Sequence, residues 1–317
     1  MINDKDRYVI IVDDEEPKAV PGQGEGETPV ITIETSPTPS QGGEPLIPQK
    51  AQKRWLWFIG GAVLAALLCV AAVAGWRYYR TYVNIGIPVS TTCEQNIAKL
   101  EVYPRGDSEG AVIMTSDSIL GVAMNFYELK GLKAEITLQE PDTTDTNVMF
   151  YSRCADHGKN NEHLGSLVMN GKELQSDRSR LGYCAMANGN VVIGVARSEE
   201  VKDYVVEQGG SFFRQFILVS NGVLPTQFHL HGKVERRGLG RIGDKLYYIE
   251  TKHAETMWDF ADALREYGFV DAIYITGGSD YSYYRDADGT RHNIGDVTKY
   301  PHNKGNGVIP WIVFKKR

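Results

Sequence analysis

A run of arginines and glycines at residues 235–241, ERRGLGR, combines side chains that bind anions with an accessible backbone. Arg236 and Arg237 are adjacent, and a guanidinium group donates two parallel hydrogen bonds to a phosphate or a carboxylate. The neighbouring glycines leave the backbone open to a bound group. A solvated surface run is the commoner use of such residues, so this stretch is a candidate phosphate site and no more.

Paired glycines end an alternating, strand-like run within residues 271–285, DAIYITGGSDYSYYR. The alternation stops at Gly277 and Gly278, and Ser279 and Asp280 follow directly. Paired glycines allow a sharp turn, or a close approach of the backbone to a ligand. Taken alone, the stretch predicts a turn between two strands, because that is the usual role of Gly-Gly.

A third stretch, GVAMNFYEL at residues 121–129, places Asn125 within a strand-like run, with aromatic residues and Glu128 after it. An asparagine here could hold a sugar hydroxyl or a turn, and a turn is the commoner role.

Histidines and aspartates elsewhere do not form a metal site with a recognisable spacing. His229 and His231 would face one side of a strand, but no third ligand accompanies them, which favours a structural or hydrogen-bonding role. Residues 286–292, DADGTRH, fail the EF-hand loop pattern in either register, and a hairpin turn is the better interpretation. The sequence therefore predicts no metal and no cofactor.

The elements that must position these residues are mostly strands. Many short β-like runs are separated by turn signals, which include Asn-Gly pairs at 170–171, 188–189 and 221–222. Two helices are predicted, over 253–268 with one apolar stripe, and over 198–210 with a serine N-cap and a glycine stop. The fold class is therefore α+β, with a mostly antiparallel or mixed sheet and a few helices.

An unbroken apolar run precedes this domain, WLWFIGGAVLAALLCVAAVAG, and has the length of a membrane-spanning helix. Three basic residues stand before it and two after it, a bias that places the N-terminus inside. The predicted organisation is a disordered cytoplasmic tail over 1–54, a transmembrane helix over 55–76 and an extracytoplasmic domain over 83–317. The predicted location is the inner membrane, with a single pass and the C-terminal domain in the periplasm or outside the cell.

Charge and cysteine content exclude two classes of protein. The net charge is −6, and both soluble parts are mildly acidic, which argues against binding to nucleic acid. Four cysteines are too few for a disulfide scaffold. Beyond the apolar run, Cys93, Cys154 and Cys184 permit one disulfide, and the sequence leaves the pairing open.

The order of five segments along the chain resembles the phosphodiester glycosidase family. The segments are GVAMNFYEL, LGSLVMNGKEL, FILVSNGVL, KVERRGLGRIGDKLYYIE and ETMWDFADALREYGFVDAIYITGGSDYS, and the resemblance covers roughly residues 110–315. The family pattern runs from an Asn-Gly-Gly-Phe-Phe-like segment, through Leu-Val-x-Asn-Gly and Arg-Thr-Ala-Ile-Gly, to a helix and Asn-Leu-Asp-Gly-Gly-Gly-Ser. The resemblance implies a bacterial envelope hydrolase with a carbohydrate or sugar-phosphate ligand.

The residues that match the family pattern are Asn125, Arg236, Gly240, Gly277, Gly278 and Ser279. Phe126 and Tyr127 replace the glycines of the first motif. The resemblance implies that Arg236, with Arg237, binds the phosphate and that Asn125 and Ser279 bind hydroxyls or orient the site.

One departure affects the chemistry, because Thr276 stands where the family has an aspartate. A glycosidase needs a group that donates a proton or stabilises oxocarbenium charge, and threonine offers no carboxylate. Asp280 could reach the same space from the other side of the turn. Asp280 or Glu128 is therefore the predicted acid or base, with Glu128 as the second choice.

Three hypotheses follow for the function. The first is a membrane-anchored extracytoplasmic hydrolase of sugar phosphodiester or related glycoconjugate bonds. The second is a catalytically degenerate relative that binds glycans or phosphoglycans without cleaving them, and Thr276 supports it. In the third, the acidic N-terminal tail is the main functional part and the outer domain is a sensor.

Overall fold

The computed structural model of the protein describes residues 49–79, 91–102, 110–154, 163–228, 230–278, 280–295 and 310–317. Most of the predicted tail, His229 and Ser279 lie outside these residues.

The apolar run forms helix α1, Gln49–Tyr78. Within it, Trp57–Tyr78 has a mean hydropathy of 2.4 over its most apolar window. Its 22 residues extend about 33 Å at 1.5 Å per residue, slightly more than the hydrocarbon thickness of a bilayer. The helix is therefore long and apolar enough to cross a membrane, a property that signal sequences share.

The described part of the remaining chain contains three helices: α2 Cys93–Glu101, α3 Glu200–Glu207 and α4 Met257–Tyr267. The strands are β1 Ala111–Ile119, β2 Val122–Lys130, β3 Lys133–Thr137, β4 Val148–Arg153, β5 Leu167–Met169, β6 Lys172–Gln175, β7 Gly182–Ala187, β8 Asn190–Val195, β9 Ser211–Gln215, β10 Ile217–Val219, β11 Arg236–Ile242, β12 Lys245–Thr251, β13 Asp271–Gly277, β14 Ser282–Arg285, β15 Arg291–Ile294 and β16 Trp311–Lys315.

The strands form three antiparallel sheets, which confirms the predicted α+β class. The first sheet has the order β1-β2-β12-β11-β13-β10, the second β15-β14-β4-β16-β3 and the third β6-β5-β9-β7-β8. One apolar core joins the inner faces of all three sheets, and it includes Tyr127, Phe150, Phe213, Leu239 and Tyr248. Helices α2 and α3 cover the third sheet.

Helix α4 covers the other face of the first sheet, as its apolar stripe predicts. Met257, Phe260 and Leu264 are buried in a second core there. The hydroxyl of Thr256 accepts a hydrogen bond from the Asp259 amide at 3.0 Å, which caps the helix start. Gly268 ends the helix in the left-handed region, with φ of 107°.

The structure confirms the predicted Asn-Gly turns but not the predicted start of helix α3. Asn170, Asn188 and Asn221 all have φ near 50° and precede glycines that also have positive φ, which confirms the three predicted turns. The serine cap predicted for α3 is wrong. Glu199 occupies the N-cap position without a side-chain cap, and Ser198 instead contacts the Cys93 sulfur at 3.3 Å.

All four cysteines are unpaired in the structure. Cys154 and Cys184 are fully buried, and burial raises the pKa of both thiols.

Candidate functional site

Three polar side chains stand beside one another on the inner face of the first sheet. Asn125 of β2 is directly opposite Glu250 of β12, and Glu250 is directly opposite Arg237 of β11. Directly opposite residues in antiparallel strands project to the same face and have neighbouring Cβ atoms. The strand register therefore creates a row of amide, carboxyl and guanidinium groups.

The Glu250 carboxyl is the centre of this row. Its Oε1 accepts hydrogen bonds from Asn125 Nδ2 at 3.1 Å and from the Tyr127 hydroxyl at 2.9 Å. Its Oε2 lies 3.8 Å from Nε of Arg237. Burial raises the pKa of Glu250, an effect that the positive charge of Arg237 opposes.

Arg237 also holds the turn that follows β13. Its Nη1 donates to the Gly278 carbonyl at 2.8 Å, and its Nη2 donates to the Asp280 carbonyl at 2.9 Å. Gly278 has φ of 76° and donates its own N–H to the Glu235 carbonyl at 2.9 Å. Hydrogen bonds with Glu235 and Arg237 therefore hold the predicted glycine turn against the start of β11.

This turn brings the Asp280 carboxyl into a nearly buried position, with 2% of the residue exposed. Oδ1 lies 3.3 Å from Nε of Arg153 and accepts the Tyr281 N–H at 3.0 Å, while Oδ2 accepts the Thr276 hydroxyl at 3.0 Å. Arg153 lies over the rings of Tyr281 and Trp311. Burial raises the pKa of Asp280, and Arg153 and then Arg237 oppose the rise. We refer to Asn125, Arg153, Arg237, Glu250 and Asp280 as the polar cluster.

A triangle of hydroxyls connects the first and second sheets behind the polar cluster. The Tyr248 hydroxyl lies 2.9 Å from both Ser152 Oγ and Ser282 Oγ, and the two serine oxygens are 3.0 Å apart. All three residues are fully buried, so each hydroxyl depends on the others for its hydrogen bonds. The triangle fixes β4 and β14 against β12.

The structure does not bring Arg236 together with Arg237. Successive residues of a strand point to opposite faces, and Arg236 projects towards α4. Its Nε donates to the Glu255 carbonyl at 3.0 Å, and its Nη2 donates to the Gly232 carbonyl at 2.9 Å. Arg236 therefore binds loop backbone on the far face of the sheet.

Glu128 also lies apart from the polar cluster, on the face of β2 opposite to Tyr127. Its carboxylate pairs with Lys245 Nζ at 3.0 Å and accepts the Tyr247 hydroxyl at 3.4 Å.

Gly277 and Thr276 lie at the end of β13, where they contact β11 and Asp280. Gly277 is directly opposite Arg236, and a Cβ there would collide with the Tyr274 hydroxyl and reach 3.1 Å from the Glu235 carbonyl. Thr276 contributes its hydroxyl to Asp280. Among the predicted site residues, Asn125, Arg237, Thr276, Gly278 and Asp280 come together.

Two members of the polar cluster, Glu250 and Arg153, were missed by the sequence reasoning. Each ends a strand-like run, KLYYIE for Glu250 and VMFYSR for Arg153. In such a run, a charged residue can fall at a position whose side chain faces the interior. That pattern could have identified both residues, because a buried charge must find a partner inside the protein. The described residues contain no group of three or more His, Cys, Asp or Glu side chains that could hold a metal.

Comparison with known proteins gave only structural matches. No family model matches the chain, and no curated protein matches it. One similar solved structure is the catalytic domain of zebrafish N-acetylglucosamine-1-phosphodiester alpha-N-acetylglucosaminidase, auto-inhibited by its pro-peptide, with 12% identity, TM-score 0.47, and coverage of 67% of this chain and 85% of that chain. Another is a hypothetical protein from Synechocystis, with 11% identity, TM-score 0.50, and coverage of 66% of this chain and 63% of that chain. At this identity, the likeness to the Synechocystis protein indicates a similar fold and nothing about activity.

Proposed function

We propose that this chain is a membrane-anchored, extracytoplasmic hydrolase of sugar phosphodiester or related glycoconjugate bonds. The observation that carries the proposal is the polar cluster, which holds two buried carboxyls. Arg237 faces the carboxyl of Glu250 and binds the backbone carbonyl of Asp280, and the carboxyl of Asp280 pairs with Arg153. The cluster includes residues of three segments of the phosphodiester glycosidase pattern, namely Asn125, Arg237 and the turn after Gly277.

The chemistry of glycoside hydrolysis fits these groups. Most glycosidases use two carboxyl groups, and the one that protonates the leaving group needs a raised pKa. Burial raises the pKa of both Glu250 and Asp280. Arg237 supplies a fixed positive charge for a phosphate, and Asn125 supplies an amide for a sugar hydroxyl. Ser279, which lies outside the described residues, remains a proposed hydroxyl-binding residue.

The departure at Thr276 is consistent with a retained carboxylate. Thr276 Oγ1 lies 3.0 Å from Asp280 Oδ2, so the Asp280 side chain reaches the position beside residue 276. This contact supports the proposal that a carboxylate four residues later in the chain replaces the aspartate of the family.

The membrane arrangement belongs to the same proposal. The α1 helix would span the inner membrane once, residues 1–54 would lie in the cytoplasm and residues 83–317 would form the outer catalytic domain. The distribution of basic residues around α1 supports this orientation. The proposed ligand is a carbohydrate or a sugar phosphate, and the mildly acidic soluble parts argue against nucleic acid as a partner.

A second candidate function is binding of a glycan or phosphoglycan without cleavage. The observation that favours it is the engagement of the Asp280 carboxyl, whose two oxygens already interact with Arg153, Tyr281 and Thr276. A carboxyl held in this way is suited to positioning. Glycan-array binding by the full-length protein, together with no detectable turnover, would favour this function over hydrolysis.

The test of hydrolysis uses the full-length protein in detergent micelles with methyl phosphodiesters of glucose, galactose, mannose and N-acetylglucosamine 1-phosphates. Release of free sugar is measured for the wild type, Asp280→Asn and the control Asp262→Asn, which changes a partly exposed carboxylate on α4. We expect turnover of at least one diester by the wild type and the control, and a large loss in Asp280→Asn. A folded wild type that releases no sugar from any diester would contradict the proposal.

A further inference from the structure

The two oxygens of the Glu250 carboxyl have different environments. Oε1 accepts hydrogen bonds from Asn125 and Tyr127. Among the described residues, Oε2 accepts no hydrogen bond and faces Nε of Arg237 at 3.8 Å. A contact of about 3.6 Å is already too long for a hydrogen bond, so Oε2, at 3.8 Å from Nε, retains its capacity to interact with another group.

The Arg237 side chain likewise has one nitrogen, Nε, without a hydrogen-bond acceptor among the described residues. Its two terminal nitrogens donate to the Gly278 and Asp280 carbonyls and to the Glu235 carboxylate. Its Nε is buried and has no hydrogen-bond partner within the described parts of the chain. A buried donor without an acceptor costs about 1–3 kcal/mol, so the pair points to an outside oxygen as the missing partner.

The Asp280 carboxyl differs from Glu250 in this respect. Its Oδ1 interacts with Arg153 and the Tyr281 N–H, and its Oδ2 accepts the Thr276 hydroxyl. Its backbone carbonyl accepts from Arg237. All of these interactions hold the glycine turn in place. Asp280 therefore acts as a positioning residue, which affects the site by fixing the turn.

We propose that Glu250 is the catalytic proton donor, that Arg237 Nε binds a non-bridging phosphate oxygen of the substrate, and that Asp280 is a positioning residue. This inference rests on the proposed hydrolase function and assigns the roles within it. The substrate class that fits is a sugar 1-phosphodiester, because its phosphate supplies both an oxygen for Arg237 Nε and an adjacent bridging oxygen for the Glu250 proton.

The reaction would proceed by cleavage of the bond between the anomeric carbon and the bridging phosphate oxygen. The electron pair of that bond goes to the bridging oxygen, which takes the proton from Glu250 Oε2 and leaves as a phosphate monoester. The oxygen of a water molecule bonds to the anomeric carbon and releases one proton to the solvent. Glu250 then regains a proton from the solvent, so one water is consumed for each free sugar released.

The proton on Glu250 depends on its charged and titratable neighbours. The groups that face it are Arg237 on β11, Glu235 before β11, Tyr127 on β2, Tyr248 on β12 and Tyr284 on β14. Burial, with a smaller contribution from the Glu235 charge, raises the pKa of Glu250, while Arg237 lowers it. We therefore expect activity to decline with rising pH as Glu250 loses its proton, at a pH above the ordinary range of glutamate.

The experiment compares variants of the full-length protein in detergent micelles, with the methyl diester that the wild type hydrolyses fastest as substrate and free sugar as the readout. The variants are Glu250→Gln, Glu250→Asp and Asp280→Asn, with Glu266→Gln on the exposed side of α4 as the matched control. Circular dichroism and thermal unfolding establish that each variant is folded. The kcat, the KM and the pH dependence of kcat are measured for each.

We expect Glu250→Gln to lower kcat about 10²–10⁴-fold, with a smaller change in KM and loss of the alkaline decline. Glu250→Asp retains the decline at a reduced kcat, and it serves as the test if Glu250→Gln does not fold. Asp280→Asn lowers kcat but retains the decline, as expected of a positioning residue. If Glu250→Gln keeps kcat within tenfold, or if Asp280→Asn alone removes the decline, the inference is overturned while the hydrolase function stands. If the wild type releases no free sugar from any of the four methyl diesters, the proposed function itself fails.

Discussion

Replacing Arg153 by methionine tests how the candidate site is held together. Arg153 is 6% exposed at its side chain, pairs with the Asp280 carboxylate at 3.3 Å, and lies over two aromatic rings. Methionine fills much of the same volume without a charge. The variant therefore leaves Asp280 buried with one hydroxyl and one backbone amide as its described hydrogen-bond donors.

The size of the effect follows from two losses. Removal of one partner of a buried ion pair destabilises a protein by about 3–5 kcal/mol, because the remaining charge stays buried. Loss of the guanidinium over Tyr281 and Trp311 contributes about 0.5–2 kcal/mol of this. We expect Arg153→Met to lower the free energy of unfolding by about 3–5 kcal/mol at pH 8.

The effect must also depend on pH, with a defined sign. The pKa of Asp280 is already raised by burial, and loss of the Arg153 charge raises it further. Protonation of Asp280 at acidic pH removes the unpaired charge, so the difference falls towards the contribution of the ring contacts, about 0.5–2 kcal/mol. The destabilisation therefore grows as pH rises from 4 to 8.

The assay is chemical unfolding of the full-length protein in detergent micelles at pH 4, 6 and 8, followed by tryptophan fluorescence. Arg265→Met is the control, because that arginine pairs with Asp262 on the exposed side of α4 and contributes less than about 1 kcal/mol. The double variant Arg153→Met with Asp280→Asn should recover part of the lost stability. A loss below 1 kcal/mol at pH 8, or a loss independent of pH, would refute the reasoning.

Three further predictions concern the turn, the buried carboxyls and the thiols. Gly277→Ala should lower activity and reduce stability by about 1–3 kcal/mol because its Cβ collides with Tyr274. Gly278→Ala, whose Cβ meets only open space, should cost about 1–2 kcal/mol through its φ of 76° alone; equal activity in the two variants would count against this account. Because the pKa values of both carboxyls in the polar cluster are raised, the free energy of unfolding should fall as the pH rises from about 4 through the two folded-state pKa values, by about 1.4 kcal/mol per unit of pKa rise; a rise with pH over that range in denaturant titrations would be the contrary result. Iodoacetamide should label the part-exposed Cys93 and spare the buried Cys154 and Cys184, and mass spectrometry that finds the buried pair labelled in folded protein would contradict the packing.

Local signals predicted the elements well. The apolar stripe of α4, its glycine stop and the Asn-Gly turns depend on neighbouring residues, and the structure has all of them. The start of α3 was misplaced by one residue, because Glu199 at its N-cap pairs with Lys202 and Arg214. The pair with Arg214 joins residues that lie 15 positions apart, and a capping pattern does not record it.

The site itself could be predicted only in part, because it depends on strand register. Sequence placed Asn125 and the glycine turn in one site, and the structure links them through Glu250 and Arg237 on the neighbouring strands. It placed Arg236, with Arg237, at the phosphate, whereas successive residues of a strand point to opposite faces and the structure has only Arg237 in the polar cluster. Glu250 was missed because its contact with Asn125 joins residues 125 positions apart, and only the pairing of β2 with β12 makes them neighbours.

A crystal structure of the full-length protein with the sugar 1-phosphate of the diester that the wild type hydrolyses fastest would test the central claim most directly. The account predicts a phosphate oxygen within about 3.2 Å of Arg237 Nε and a second oxygen equally close to Glu250 Oε2, with the sugar hydroxyls towards Asn125. A sugar phosphate bound instead at Arg236, on the face of the sheet that α4 covers, would contradict it.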